Sequence, residues 1–384
     1  MKIVNIENKI ETKPKEGLKE KIIGGIILLV VIIVVIVLKI NSDNKKNLVT
    51  VRGAVGGGKE NFLADEKFNE ILSKKYSIKF SGDSWSNGKL VKDNVVDKDN
   101  NKYDLIFFSD VRYYDYFKLQ PNPALGEVPR ERVVDGNLTL NTPIVIYSWD
   151  SVVNVFIKEG IVTIKDGVYY ITNMQKLLDY ILEGKKWEEI GLDIYGRINI
   201  ASTDPVSSSP GATYYGLLLS IMSQGDITYE GVQNALPKLK EFYLKSGYMN
   251  NTPADLFEMY LKTGVGAKPL IVDYEKSIID FSNSNPDGWN QVKDKVRILY
   301  PTPTIWNSHC IATFNDKGNS FLKAFNDKDI QQLAWSKYGF RVGISGGNYD
   351  VTDIQLKGVP QTISSVTPGL KMDVYNQIID YLAK

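Results

Sequence analysis

Residues 199–222 read NIASTDPVSSSPGATYYGLLLSIM, and this stretch predicts how the chain is built. It predicts a short strand at 198–201, a polar loop at 202–210 and an apolar helix that begins near Gly211. Proline suits the first position of a helix, and the glycine beside it allows close approach to the backbone. Because a helix start carries unpaired N–H groups, the loop can hold an anionic or carbonyl-bearing ligand. A plain serine N-cap is the alternative interpretation.

Short apolar strands alternate with helices on both sides of this stretch. Strands are predicted at 48–52, 77–80, 103–108, 143–147, 268–274 and 296–300. Helices are predicted at 62–72, 150–159, 173–183, 228–246, 253–263, 317–325, 328–338 and 372–383, whereas 118–142 is predicted to be loop. This alternation is typical of an α/β fold with a parallel sheet. A chain of 384 residues exceeds one typical domain, so two lobes or domains are expected.

The composition excludes several classes of function. The formal net charge is +1, so the chain has no strongly basic surface for a nucleic acid, and no nucleic-acid partner is expected. The chain has one cysteine, Cys310, and one histidine, His309. This adjacent pair cannot build a closed zinc site, which needs about four ligands. No metal, no cofactor and no intrachain disulfide is therefore expected.

The N-terminal region predicts a membrane anchor. Residues 1–21 form a polar, lysine-rich tail, and 22–38 run without a polar side chain between Lys21 and Lys39. At about 1.5 Å per residue this segment spans about 25 Å, which is the low end for a transmembrane helix. Neither a cleavage site nor a lipoprotein cysteine follows it, so a retained anchor is expected, with 39–47 as a linker. The expected orientation places the tail inside and the C-terminal region outside the cell.

A glycine-rich loop, GAVGGGKE at 53–60, follows the first predicted strand. From Gly53 to Lys59 it matches the pattern of the phosphate-binding loop of nucleotide enzymes. At the next position that loop needs Ser or Thr to hold Mg²⁺, and here the residue is Glu60. A carboxylate there would repel phosphate, which argues against a nucleotide enzyme. The backbone of Gly56, Gly57 and Gly58 can still come close to a ligand at a helix start.

No catalytic set is visible in the sequence. His309 is the only imidazole, no G-x-S-x-G motif is present, and a pair such as Ser109 and Asp110 lacks a base. Polar loops of small residues instead follow strands at 53–61, 81–88, 109–110 and 202–211. In open α/β sheets, ligands bind outside the carboxyl ends of the strands. These loops predict binding without turnover, so the protein is predicted not to be an enzyme.

The folded region resembles the bacterial extracellular solute-binding proteins of the type II periplasmic-binding-protein fold, near the molybdate and sulfate binders. The stretches that carry this resemblance are ITNMQKLLDYILEGKKWEEIG (171–191), the loop and helix at 198–218, KPLIVDYEKSII (268–279), LYPTPTIWNSHCIATF (299–314) and IQQLAWSKYGFRVG (330–343). The resemblance covers roughly 48–345. It implies two α/β lobes that close on a ligand, with lobe 1 at 48–147 plus 304–384 and lobe 2 at 148–303.

The resemblance also implies which residues bind the ligand. Carried over position by position, the binding residues are Gly56, Gly57, Gly58, Lys59, Ser84, Ser86, Ser109, Ser208, Ser209, Gly211 and Tyr274. The first loop is glycine-rich here, where the oxyanion binders have serines. A helix also replaces the lipidated cysteine that usually anchors Gram-positive members.

The expected function is a membrane-anchored extracellular receptor that captures a small molecule or oxyanion for transport or sensing, with a membrane permease as a possible partner. The alternative is a scaffold protein of an envelope complex that uses the same fold. Gly24 and Gly25 in the apolar segment would let another membrane helix approach closely in that case.

Overall fold

A computed structural model describes residues 31–33, 48–92, 102–120, 133–250, 252–342, 349–354 and 356–384. The chain divides into two compact units, Met1–Leu48 and Val49–Lys384. The expected tail at 1–21, the linker at 39–47 and all of the expected anchor except 31–33 lie outside the described residues; 31–33 are helical and exposed. Within the described part of the chain, no helix has both the length and the apolar character needed to cross a bilayer.

The second unit is a mixed α/β structure. Its strands are β1 (Val49–Gly56), β2 (Ile78–Trp85), β3 (Leu105–Phe108), β4 (Asp135–Trp149), β5 (Val162–Lys165), β6 (Val168–Ile171), β7 (Leu270–Tyr274), β8 (Val296–Pro301), β9 (Trp306–Thr313) and β10 (Arg341–Val342). The prediction of an α/β fold is confirmed.

Helices cover and connect these strands. They are α1 (Glu60–Ala64), α2 (Glu66–Tyr76), α3 (Asn87–Lys92), α4 (Val111–Leu119), α5 (Asp150–Lys158), α6 (Met174–Glu183), α7 (Ser209–Met222), α8 (Tyr229–Lys245), α9 (Pro253–Thr263), α10 (Glu275–Ser284), α11 (Pro286–Val292), α12 (Asp316–Ala324), α13 (Lys328–Ser336) and α14 (Met372–Ala383). Short 3₁₀ turns lie at Glu188–Ile190 and Val351–Asp353.

One long strand, β4, belongs to two groups of strands. Its first part, from Asp135 to Pro143, pairs with β9 and β10 in a group that continues through β3 and β1 to β2; we call this group sheet 1. Its second part, from Ile144 to Trp149, pairs with β7 and β8 in a group that continues through β6 to β5; we call this group sheet 2. The chain therefore passes between the sheets without leaving the strand.

The central strand β3 of sheet 1 is covered by helices on both faces, because its residues are apolar on both sides. In β3, Leu105 and Phe107 face a cluster that contains residues of α1, α2, α12 and α13. The alternate residues, Ile106 and Phe108, face a second cluster with α3 and α4. This alternation follows from the two-residue period of a strand, and runs that are apolar on both faces are typical of parallel strands. β1 accordingly pairs in parallel with both β2 and β3.

The C-terminal region packs with sheet 2, although the sequence analysis assigned all of 304–384 to lobe 1. Leu356, Leu370, Ile378 and Leu382 are buried in the same cluster as the strands of sheet 2. Thr304, at the return from sheet 2 to sheet 1, forms an isolated bridge with Val366. The division at 147 and 304 stays a prediction, and the strand pairing changes at Pro143–Ile144 and after Pro301.

Three local predictions differ from the structure. The helical run at 62–72 is split, because Asp65 accepts hydrogen bonds from the N–H groups of Lys67 and Phe68 and caps α2. Residues 135–142 form part of strand β4 rather than a loop. Pro143 does not interrupt this strand, because it lies where β4 changes its partner strands and no ladder N–H is needed there. In place of the expected strand at 198–201, the structure has an isolated bridge that joins Ala201 to Ile271.

A buried ion pair joins the two sheets. Arg341 of β10 donates from Nε and Nη2 to the carboxylate of Glu275, the first residue of α10, at 2.6 and 2.7 Å, and the two side chains are 1% and 0% exposed. The Tyr300 hydroxyl of β8 donates to the same carboxylate at 2.7 Å. Arg341 also donates to the carbonyl oxygens of Pro360 and Gln361 in the C-terminal region. Every hydrogen-bonding group of the pair is therefore used, which a buried charge requires.

We expect Arg341→Met to lower the free energy of unfolding by about 3–5 kcal/mol, because it leaves the Glu275 carboxylate buried without a counter-charge. Glu275→Gln in the Arg341→Met background should recover most of that loss, since it removes the charge and keeps an acceptor for Tyr300. Urea unfolding followed by tryptophan fluorescence measures both values. Lys74→Met is the control. Lys74 and Glu70 form an exposed pair, so this substitution should change the free energy of unfolding by less than about 1 kcal/mol. A double variant less stable than the single one would contradict this account.

Candidate functional site

A cavity of about 1100 Å³ lies between the two sheets and receives residues from both. From the side of sheet 1 it is lined by Gly57 and Gly58 after β1, Ser86 after β2 and Ser109 after β3. These three strands run in parallel, so their carboxyl ends meet at one edge and bring the loops together. From the side of sheet 2 the cavity is lined by residues that the sequence also predicted: Ser208, Ser209 and Tyr274.

Four predicted binding residues do not line this cavity. Ser84 lies within β2 and is exposed elsewhere on the surface. Gly56 and Gly211 make room for neighbouring parts of the chain. A Cβ at Gly56 would lie 2.5 Å from Ser109 Oγ, and a Cβ at Gly211 would lie 2.3 Å from the Thr203 carbonyl oxygen. A close approach to the backbone at Gly211 was predicted for a ligand, but it is the backbone of Thr203 that lies against this glycine.

Lys59, the fourth of these residues, turns inward below the glycine loop. It is 2% exposed, and its Nζ donates to the Gly56 carbonyl oxygen at 2.6 Å and lies 4.6 Å from the centre of the Phe107 ring. Burial lowers the pKa of Lys59 from 10.5 to about 7; the charge of Glu60 opposes this shift and that of Lys276 adds to it. In this position Lys59 stabilises the loop that forms the cavity wall.

Two residues of β9, Asn307 and His309, line the cavity next to Ser109. They are two positions apart on one strand, so their side chains share a face. The Asn307 amide nitrogen donates to the Ser109 carbonyl oxygen at 3.0 Å and lies 3.4 Å from His309 Nε2. Burial, with the charges of Lys59 and Lys276, lowers the pKa of His309 well below 6.5, so the ring is neutral. If His309 Nε2 accepts a hydrogen bond from the Asn307 amide, the proton of the imidazole ring is on Nδ1.

Three polar atoms at this cavity have no hydrogen-bond partner among the described residues: Tyr274 Oη, Asn307 Oδ1 and His309 Nδ1. Each belongs to a side chain that is at most 6% exposed. Leaving a buried polar group unpaired costs about 1–3 kcal/mol, so groups of this kind need an explanation. All three residues line the cavity, so these polar atoms lie directly behind its wall.

The start of α7 faces the cavity with a free donor. Ser208 occupies the N-cap position, but its hydroxyl donates to Thr203 Oγ1 at 2.8 Å instead of capping the helix. The backbone N–H of Ser209, which lines the cavity, has no hydrogen bond to the described residues. A helix start with unpaired N–H groups favours a negatively charged or carbonyl oxygen. The alternative of a plain serine N-cap is therefore wrong for the Ser208 hydroxyl, which does not cap the helix. Pro210 lies in the first turn of α7, as predicted.

Asp110 does not form a reactive pair with Ser109. Its carboxylate accepts from the backbone N–H of Arg112 and binds the Arg112 guanidinium, with Nε to Oδ1 at 3.0 Å. The guanidinium packs on the ring of Tyr375 in α14, 4.6 Å from the ring centre, and the Tyr375 hydroxyl donates to the Pro205 carbonyl oxygen. This set of contacts joins α4 of sheet 1 to the loop before α7.

The sequence analysis missed Asn87, Lys276, Asn307 and His309 as parts of the cavity wall. β9 was not predicted as a strand, so the shared face of Asn307 and His309 could not be recognised; three consecutive polar residues, 307–309, obscured the strand pattern. Among the described residues, no group of three or more His, Cys, Asp or Glu side chains is placed to hold a metal ion.

No family model matches the sequence, and no curated protein matches it. Solved structures do match the fold. An extracellular solute-binding protein from Bordetella parapertussis superposes with a TM-score of 0.57 at 14% identity, over 87% of this chain and 98% of that one. A ferric binding protein from Campylobacter jejuni superposes with a TM-score of 0.55 at 15% identity, over 87% of this chain and 97% of that one. An iron- and citrate-bound protein from Trichodesmium superposes with a TM-score of 0.55 at 14% identity, over 87% of this chain and 98% of that one. The chain thus has the two-lobed fold of solute-binding proteins.

The lowered pKa of Lys59 makes stability depend on pH. Between pH 7 and 10.5 the unfolded chain holds a proton on Lys59 that the folded chain lacks, so this residue makes the free energy of unfolding increase with pH in that window. In Lys59→Met the increase should be smaller by about 1.4 kcal/mol per pH unit. Urea unfolding at pH 7.5, 8.5 and 9.5 measures the difference. Lys74→Met, an exposed control, should keep the wild-type slope, and an equal slope in Lys59→Met would contradict the assignment.

Proposed function

We propose that this chain is a solute-binding receptor that captures a small molecule or oxyanion between its two sheets, for transport or sensing and without chemical turnover. The observation that supports this most is the convergence of polar residues from both sheets on one cavity, whose lining residues Tyr274, Asn307 and His309 hold unpartnered polar atoms. The fold agrees with this function. The proposed binding residues are the predicted ones that line the cavity: Gly57, Gly58, Ser86, Ser109, Ser208, Ser209 and Tyr274.

The finer parts of the proposal concern the ligand and the membrane. A ligand of the molybdate or sulfate type follows from the sequence resemblance, and ferric ion with citrate follows from the names of the compared structures. A retained helix at 22–38 would hold the receptor on the outer side of the cell membrane, where a permease could receive the ligand. The scaffold alternative depends on Gly24 and Gly25, which lie outside the described residues.

A thermal-shift screen tests ligand capture. The panel contains molybdate, sulfate, phosphate, ferric citrate, sugars and amino acids, together with any ligand that mass spectrometry finds co-purified. At least one should raise the melting temperature, because a ligand at 100 times its Kd adds about 2.7 kcal/mol to the stability of the folded state. If no panel member and no co-purified compound raises it, the receptor proposal fails.

A pair of tryptophan variants tests the location. Ser207→Trp places a large ring at an exposed position on the cavity wall and should weaken binding of the identified ligand at least tenfold. Ser84→Trp makes the same change at an exposed serine outside the cavity and should leave the Kd unchanged. Isothermal titration measures both. Equal loss in the two variants, or loss only in Ser84→Trp, would place the site elsewhere.

The anchor has its own test. We expect the full chain to sediment with membranes and to resist extraction by carbonate, because about 20 apolar residues suffice to span the bilayer. A chain that begins at residue 39 should remain in the supernatant. Release of the full chain by carbonate would remove the anchor from the proposal and leave ligand capture unaffected.

A further inference from the structure

The cavity has an apolar wall that no small inorganic ion would contact, and it lies on three helices of the sheet 2 side. We propose, on the basis of the function proposed above, that the ligand is an organic anion. Its charged head would lie beside Lys276 and the start of α7 rather than at the glycine loop, where the Glu60 carboxylate already accepts the Gly58 N–H at 2.8 Å. An apolar body of several carbons would pack against α9, α10 and α11.

The apolar wall is a continuous set of helix faces. On α9, Ala254, Phe257 and Leu261 are spaced by three and four residues, which puts them on one face, and all three line the cavity. Phe281 of α10 packs edge-on against Phe257, with ring centres 5.8 Å apart, and also lines the cavity. Val292 of α11 completes this wall. These side chains offer a ligand hydrocarbon contact that a plain oxyanion cannot use.

The size of the cavity supports a ligand larger than an oxyanion. Its volume of about 1100 Å³ slightly exceeds the range for sites that hold drug-sized molecules, about 300–1,000 Å³. A tetrahedral oxyanion would occupy a small part of this space and leave the apolar wall in contact with water. Each CH₂ group that a ligand buries there would gain about 0.8 kcal/mol.

The charges that line the cavity place the head of the ligand. Of the described lining residues, those from the sheet 1 side carry no carboxylate, whereas Glu258, Asp273 and Asp280 all lie on the sheet 2 side. Glu258 is paired with Lys262, and Asp273 accepts the backbone N–H of Tyr274. Lys276 lines the cavity with its Nζ 5.1 Å from the centre of the Phe340 ring, which in turn packs edge-on against His309.

The head therefore meets a donor and a cation. Lys276 and the free Ser209 N–H at the start of α7 both favour an acceptor with negative charge. The buried side chains of Tyr274, Asn307 and His309, each with an unpartnered polar atom, line the same cavity.

A chain-length series tests the proposal on the full-length protein. The probes are inorganic phosphate, ethyl, n-butyl and n-hexyl phosphate, and 1-hexanol as the same body without the charged head. We expect Kd to fall about three- to fourfold per added CH₂ and 1-hexanol to bind much more weakly than n-hexyl phosphate. Leu261→Gln should remove most of the gain with chain length, whereas Leu261→Met should keep it. Leu261 is only half-buried, so both variants should fold.

The outcomes separate this inference from the proposed function. Inorganic phosphate that binds as tightly as n-hexyl phosphate would overturn the apolar body and leave the receptor proposal standing. Equal binding of 1-hexanol and n-hexyl phosphate would overturn the charged head. If no probe binds while another member of the screening panel does, the organic anion is wrong and solute capture stands.

Discussion

The buried ion pair between Arg341 and Glu275 fixes the part of the molecule on which the cavity depends. Glu275 stands between Tyr274 and Lys276, and both of these neighbours line the cavity. Because Arg341 belongs to a strand of sheet 1, the pair sets the position of this turn of sheet 2 relative to the opposite wall. A buried pair gives little net stability, since desolvation of the charges offsets their attraction. Its contribution is to the geometry of the neighbouring residues.

The cavity wall is built from groups that are already oriented without a ligand. Gly58 has a φ of +86°, which a residue with a side chain rarely adopts, and this conformation shapes the backbone of the first loop. Asn307 is held by the Ser109 carbonyl and in turn approaches His309. Donors held in this way lose little entropy when a ligand arrives.

The sequence was most informative where strand, loop and helix follow each other closely. The loops after β1, β2 and β3 and the loop before α7 could be predicted as one site because parallel strands bring their carboxyl ends to one edge. Long-range partners could not be predicted. Lys59 looked like a ligand contact, but its direction depends on Phe107 of another strand. The packing of the C-terminal helix with sheet 2 residues could not be predicted either, because an amphipathic pattern shows which face is buried and not what buries it.

The strand β4, which serves both sheets, limits how the cavity can open. Among the described residues, two passages of chain connect the two sides, β4 itself and the return at 302–305. Thr304 donates to the Ile144 carbonyl oxygen at 2.6 Å, which ties these passages together. Sliding of one side past the other would break this bond. An opening that kept it would be a rotation with its axis beside Thr304, so the residues nearest that axis would travel least and the rim of the cleft farthest.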